Sequence, residues 1–597
     1  MSCTKTIWFF FSFMAATAAD VRPVSHQIRV DSNVAVVMRD AVKLYADVYR
    51  PVDPARFPVL VVRSPYGKQR DGIHENLIGF ARRGYVVVVQ DVRGRFESEG
   101  RWDPFRYEAE DGFDTVEWAA RQSWSNGKVG MQGGSYLGNV QWQAAAQTPP
   151  SLVAIFPVVA STSLYHNTWF HGGAFKLGLA FGWGAVRNPR RVMYPQYWHT
   201  ERYAPDEWRY ESLFWKLPLK TLDEASSGQT VQHFRDWITH QSYDDYWKAI
   251  SVEERFSRVK VPVHVQGGWF DLLLGGTLNG FVGMRKEGGT PQARKETKMI
   301  VGPWGHGPSQ KFGDVDFGLT ANRTLFERNL RWFDHYLRGD NNGIDREPSV
   351  EIFYMGMNQW VHHEDWPVPG TRYTAFYLSS NGHANSSRGD GVLSREERAG
   401  APSDQFTYDP RQPVPTLGGN DCCGAPIPAG PVDQRPVEVR QDVLVYTSSI
   451  LKESLAIAGP VKMNLHAATD GPDTDYFVKL VDVHPDGFAM NIAEGILRAR
   501  YRTGLERAEL LNAGEIYEFE IDMRGTANVF LAGHRIRVDI TSSNFPQYDR
   551  NPNTGEDLGN SDHLRIARQT VFHGPRRRSH ILLPVVEVPG VEVRSGR

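Results

Sequence analysis

The sequence predicts a doubly wound α/β domain, interrupted by an aromatic-rich helical insertion and followed by an all-β domain. Three observations carry this expectation. Apolar runs of strand length alternate with amphipathic helical segments between about residues 57 and 337, as in a parallel sheet covered on both faces. The alternation breaks over residues 161–247, where aromatic side chains crowd without strand periodicity. Beyond Asn341, short strands separated by turns rich in Gly, Pro, Asn and Asp take over, which is the pattern of a sandwich or jelly roll.

The 597 residues are too many for one core, and about three or four domains are expected. The apolar share of 41% and charged share of 23% suit a soluble globular chain. A net charge of −2 gives no field for nucleic acid or an anionic membrane. Lys5, the apolar run Ile7–Met14 and the small residues Ala15–Ala19 form a secretory signal pattern, too short to span a bilayer. A secreted or periplasmic location is expected, with no membrane association once the signal is removed. Of three cysteines, Cys3 leaves with the signal, and Cys422 and Cys423 are adjacent. No Cys/His spacing reads as zinc ligation; neither a metal nor a cofactor is expected.

Taken in order, Ala35–Arg50 alternates as a β-hairpin turning near Arg39. Phe57–Arg63 and Tyr85–Gln90 are buried strands flanking a helix that ends at Gly84, a C-cap. Glu108–Arg121 is an amphipathic helix. Lys128–Met131 is a short strand, Tyr136–Ala146 a helix, and Leu152–Pro157 the next strand. The insertion carries Tyr165, Trp169, Phe170, Phe175, Phe181, Trp183, Tyr194, Tyr197, Trp198, Trp208, Phe214 and Trp215. It is placed over the C-terminal edge of the sheet, where ligands bind in such folds. Val261–Gln266 and Lys298–Val301 resume the sheet, and a helix over about 324–337 closes it. Val350–Tyr354, Arg372–Leu378, Val443–Tyr446, Gly459–Leu465, Asp475–Val483 and His534–Ile540 are strands of the β domain. The division is therefore a signal peptide (1–19), an α/β domain (20–160 and 248–345), a helical cap (161–247) and a β domain (346–597).

Chemistry concentrates at Gly133-Gly-Ser-Tyr-Leu-Gly138, where a serine sits on a glycine-rich strand-to-helix turn. This is the nucleophile elbow of α/β-hydrolases, except that Leu137 occupies the place of the last glycine. Such a turn strains the serine backbone and leaves its hydroxyl at a helix N-terminus, where developing negative charge is favoured. Acyl transfer by serine also needs a base and an acid that orients it. In this fold class they follow in the order Ser, Asp or Glu, His. Asp271, after Gly267-Gly-Trp-Phe, and His306, in Gly302-Pro-Trp-Gly-His-Gly-Pro308, both lie just beyond core strands. With 19 histidines in the chain, a histidine alone would say little; the order and placement of Ser135, Asp271 and His306 together mark a hydrolase.

The elbow resembles the G-x-S-Y-x-G motif of the cocaine esterase and X-Pro dipeptidyl-peptidase (S15-type) hydrolases. Arg63-Ser-Pro-Tyr-Gly-Lys68, Gln90-Asp-Val-Arg-Gly-Arg-Phe-Glu-Ser-Glu-Gly100, Gly268-Trp-Phe-Asp271, Gly302-Pro-Trp-Gly-His306, Ser543-Asn-Phe-Pro546 and Asn551-Pro-Asn-Thr-Gly555 agree with it. The resemblance covers nearly all of the mature chain. It implies an α/β-hydrolase domain with a helical cap and a C-terminal jelly roll. It further implies Ser135 as nucleophile, His306 as base and acid, Asp271 as orienting acid, and the Tyr66 hydroxyl with the Tyr136 N–H as oxyanion donors. Trp169, Phe170, Trp183 and Leu273 are the candidates for substrate binding. Relatives that hold a substrate ammonium use extra carboxylates; Leu137-Gly-Asn139 and Leu272-Leu-Leu274 offer none. A small-molecule carboxylic ester with an uncharged acyl group is therefore expected. An amide, cleaved as by an X-Pro dipeptidyl-peptidase or a β-lactam-type acylase, is the alternative. A homo-oligomer is compatible with this composition.

Overall fold

The computed structural model describes residues 22–69, 73–185, 212–398, 403–422, 429–557 and 559–588. The expected signal segment (1–19), Tyr194, Tyr197, Trp198, Trp208 and Cys423 lie outside them.

Strands β1 (Ile28–Val37) and β2 (Lys43–Pro51) form an antiparallel hairpin. β1 starts seven residues earlier than its alternation suggests, because this edge strand leaves most of its length exposed or half-buried. Next come β3 (Phe57–Ser64), α1 (Ile73–Ala81), β4 (Val86–Asp91), α2 (Glu108–Ala120), β5 (Ser125–Gly134), α3 (Tyr136–Ala145) and β6 (Leu152–Val158). Every residue of β3 and β4 is buried, which is why both read as unbroken apolar runs.

The described part of the insertion is mostly helical. It also contains a small hairpin, β7 (Phe170–His171) and β8 (Ala174–Phe175), too short for any periodicity to betray. The sheet resumes with β9 (His264–Gly268) and β10 (Lys298–Gly302), and a two-stranded hairpin follows, β11 (Lys311–Phe312) and β12 (Val315–Asp316). Then come β13 (Val350–Tyr354) and β14 (Gln359–His363). The sheet order is β1-β2-β4-β3-β5-β6-β9-β10-β13-β14. It is parallel from β4 to β13 and antiparallel at both edges. Val350–Tyr354 thus corrects the sequence expectation. It pairs with β10, Met299 facing Val350, so the α/β sheet runs past residue 345. Burial on both faces makes a short apolar strand look alike in either sheet.

The C-terminal jelly roll has eleven strands. These are β15 (Arg372–Ser379), β16 (Val392–Ser394), β17 (Asp404–Tyr408), β18 (Leu444–Thr447), β19 (Leu455–Thr469) and β20 (Asp475–Val483). They continue with β21 (Ala489–Arg498), β22 (Tyr517–Phe530), β23 (Arg535–Thr541), β24 (Ala567–Phe572) and β25 (His580–Val585). It is stitched to the first sheet. Met355 N–H donates to Ala527 O at 3.1 Å, and Val529 N–H donates to Met355 O at 2.8 Å. Among the described residues no helix is long and apolar enough to cross a membrane.

A buried polar network supports the β5–α3 corner. Arg63 on β3 is fully buried and donates to Glu108 Oε2 at 2.5 Å and to Gln90 Oε1 at 2.8 Å. Glu108, at the start of α2, accepts in turn from the Tyr136 hydroxyl at 2.7 Å. Burial pushes the Glu108 carboxyl up and Arg63 opposes it. Burial and the neighbouring Glu108 also hold the Tyr136 phenol protonated, as a donor. Arg63→Met is expected to destabilise the catalytic domain by about 3–5 kcal/mol, the cost of orphaning a buried charge. Adding Glu108→Gln should recover part of the loss, because no uncompensated carboxylate then remains. Urea unfolding of the three proteins measures both effects, and a loss under about 1 kcal/mol for Arg63→Met would contradict this account.

Candidate active site

Ser135 sits between β5 and α3 with φ 61° and ψ −126°, a strained conformation for a residue with a side chain. Backbone bonds hold it there: its N–H donates to Val158 O at 2.9 Å, and its carbonyl accepts from Gly138 and Asn139 at 2.8 and 3.0 Å. The glycines make the geometry possible. A Cβ at Gly133 (φ +137°) would lie 2.6 Å from the Leu137 Cβ, and one at Gly138 would lie 2.6 Å from the Ala160 Cβ. Gly133 therefore makes room for Leu137, and Gly138 lets α3 approach the end of β6. Tyr136, the first residue of α3, carries one of the N–H groups that a helix start leaves without an internal acceptor.

Asp271 follows β9 and is fully buried. Its Oδ1 accepts from Leu273 N–H at 2.8 Å, and its Oδ2 accepts from His306 Nδ1–H at 2.5 Å. This pairing fixes the imidazole tautomer and leaves Nε2 as the basic nitrogen. The two loops are laced together: Trp269 N–H donates to Gly302 O and Phe270 N–H to Trp304 O, both at 2.9 Å. A Cβ at Gly268 would lie 2.2 Å from Trp304 O, so only glycine permits that approach.

The β domain and the insertion also grip the acid loop. Asn420 Nδ2 donates to the carbonyls of Trp269 and Asp271 at 2.8 and 3.0 Å. Arg524 Nη1 and Lys176 Nζ each donate to Leu272 O at 3.3 Å. Burial pushes the Lys176 ammonium down to about 7 and the nearby Asp421 carboxyl up.

Ser135 and His306 line one cavity together with Tyr66, Tyr136, Trp169, Trp183 and Leu273. Tyr66 lies on the loop after β3, and its hydroxyl oxygen accepts from Trp183 Nε1–H at 3.1 Å. A donor on that oxygen strengthens what the O–H can itself donate. Trp169 and Trp183 both lie on π-helical turns, Tyr165–Trp169 and Ala180–Ala185, irregularities that often accompany functional sites.

Phe170 does not join the cavity. The chain leaves the π-helical turn at Trp169 and enters β7 at Phe170, whose ring stacks on Tyr165 at 4.6 Å and packs on Phe175 and Trp247. Phe105, Asn139, Thr168, Leu179, Leu272 and Cys422 complete the lining. Asn139, one turn after Ser135, could have been found from helical spacing; the others are brought in by long-range packing. Cys422 is disulfide-bonded. A second Ser/His/Asp group, Ser380, His573 and Asp404 in the β domain, is at most 6% exposed and so is sealed from substrate.

Comparison with known proteins agrees with this architecture. Residues 40–308 match the X-Pro dipeptidyl-peptidase (S15 family), and residues 342–582 match the X-Pro dipeptidyl-peptidase C-terminal non-catalytic domain. The chain is 38% identical over 580 residues to cocaine esterase of Rhodococcus sp. (strain MB1 Bresler), covering 94% of this chain and 99% of that protein. An aminopeptidase from the marine sediment archaeon Thaumarchaeota archaeon superposes with a TM-score of 0.81 at 26% identity, covering 94% of this chain and 97% of its own. An α-amino acid ester hydrolase superposes with a TM-score of 0.80, also at 26% identity, covering 98% of this chain and 100% of its own. The chain belongs to the cocaine esterase and X-Pro dipeptidyl-peptidase (S15) family of serine hydrolases, enzymes that act on acyl bonds.

Proposed function

We propose that this protein is a secreted carboxylesterase that works through an acyl-enzyme on Ser135. His306 Nε2 takes the Ser135 proton as the hydroxyl attacks the ester carbonyl, and Asp271 stabilises the imidazolium formed. The Tyr66 hydroxyl and the Tyr136 N–H receive the negative charge that develops on the carbonyl oxygen. His306 then returns the proton to the leaving alkoxide, and water repeats the sequence to release the acid.

One observation carries the choice of ester over amide. Among the described residues, the cavity holding Ser135 and His306 is lined by aromatic, aliphatic and neutral polar side chains, with no carboxylate. A dipeptidyl-peptidase or α-amino acid ester substrate brings an ammonium, which such a wall would leave desolvated and unpaired. The 38% identical relative is named as an esterase, which supports the same choice.

A fluorophosphonate probe is expected to label the wild-type protein and not Ser135→Ala. The wild type should hydrolyse p-nitrophenyl esters far faster than Gly-Pro-p-nitroanilide; the reverse preference would assign it to the peptidases. Tyr66→Phe is expected to lower kcat on esters by about 10²–10³-fold, the usual loss of one oxyanion donor, with little change in KM. An unchanged kcat would remove Tyr66 from the mechanism. Export is proposed from the Lys5–Ala19 pattern: N-terminal sequencing of protein recovered outside the cytoplasm should begin near Asp20, and an intact Met1 there would refute cleavage.

A further inference from the structure

Far along the β domain, the end of the β20–β23 ladder gathers three side chains suited to a metal ion. The two strands are antiparallel, with Asp482 facing Ile536 and Val483 facing Arg535. One more step in that register sets His484 opposite His534. Residues two apart on a strand share a face, so Asp482 and His484 project to one side and His534 joins them from across the ladder. Each offers one ligand atom, and the three atoms lie within 4.8 Å of one another. The two imidazole centroids are 4.5 Å apart.

Asp482 is 1% exposed, and a buried carboxylate is costly unless its charge is met. His534 Nδ1 lies 2.8 Å from one of its oxygens, and Asn528 Nδ2 donates to the other at 3.4 Å. Among the described residues no Lys or Arg pairs with it. The group opens into a surface cavity. On its far side stand residues of the β11–β12 hairpin of the catalytic domain, among them Asp314 and Asp316. With Asp486, the lining has four aspartates and neither lysine nor arginine. The field there favours a cation, and buried Asp482 lacks a permanent counter-charge.

We propose that Asp482, His484 and His534 bind a divalent transition metal of the zinc class. Two imidazoles and one carboxylate are the donor set of such ions; calcium and magnesium favour all-oxygen ligands. Three protein ligands leave the remaining position to water. The ion neutralises Asp482 and ties the ends of β20 and β23 together beside the catalytic domain. Its role is structural and independent of Ser135, since none of its ligands lines the catalytic cavity.

The test uses the full chain, stripped with a chelator and titrated with Zn(II) by calorimetry, with Co(II) absorption as a reporter of nitrogen ligation. Wild type and Ser135→Ala are expected to bind one equivalent. His484→Ala should bind at least about tenfold more weakly and keep wild-type p-nitrophenyl ester hydrolysis. Zn(II) should raise the Tm of the wild type and leave that of His484→Ala unmoved. His484 is only partly buried, so this variant removes a ligand without emptying the core. Asp482→Asn, which keeps the side-chain shape, gives an independent check with the same expected weakening. Failure of the wild type to bind Zn(II), or equal binding by wild type and His484→Ala, would overturn the proposal.

Discussion

The closeness of α3 to the ends of β5 and β6 is the constraint on which the site depends. Backbone packing at Gly133 and Gly138 permits that approach, and the approach forces Ser135 into positive φ. A strained residue persists only where its surroundings over-determine it. Here the surroundings are the bond that the Ser135 N–H donates to Val158 O and those its carbonyl accepts from Gly138 and Asn139, and behind them the buried chain from Arg63 through Glu108 to Tyr136. Leu137, in a place where a glycine is usual, is accommodated because the glycine two residues before the serine gives up the space instead.

Asp271 and His306 obey a different logic. Asp271 and His306 lie on loops after adjacent parallel strands, so the sheet brings them near each other without further help. Their fine placement comes from elsewhere. Asn420 and Arg524 reach in from the β domain, and Lys176 reaches in from the insertion, all onto backbone carbonyls of the acid loop. The jelly roll is thus part of the frame that aims the imidazole. A loop carrying a buried carboxylate needs such external donors, because it lies at a sheet edge where its own carbonyls lack ladder partners.

The cavity wall draws on several parts of the chain: the elbow helix, the Asp271 loop, the loop after β3 with Tyr66, two tryptophans carried by the insertion, and Cys422 from the β domain. Stacking of Trp169 on Trp237 at 3.9 Å and the bond from Trp183 to Tyr66 fix those rings. Among the described residues the wall carries no carboxylate, and a wall of that kind favours neutral groups over charged ones because it leaves a charge desolvated and unpaired.

Much of this was legible in the sequence. Buried parallel strands announce themselves as apolar runs, and strand-end loops as Gly/Pro punctuation. Ser135, Asp271 and His306 could therefore be named from their order and their position after core strands. Phe170 was misplaced because a run of aromatics does not say which ring faces a cavity, and the change from π-helical turn to strand between Trp169 and Phe170 is invisible in composition. Val350–Tyr354 was assigned to the wrong sheet because burial erases the pattern that would distinguish its neighbours. The sequence by itself determined the class of fold and the positions of Ser135, Asp271 and His306 just beyond core strands, because those depend on local patterning and short spacings. Tertiary structure alone decided that Asn420, Arg524 and Lys176 hold the acid loop, that Cys422 and Phe105 enter the substrate wall, and that Asp482, His484 and His534 converge. These contacts join residues remote in the chain, and only the folded packing brings them together.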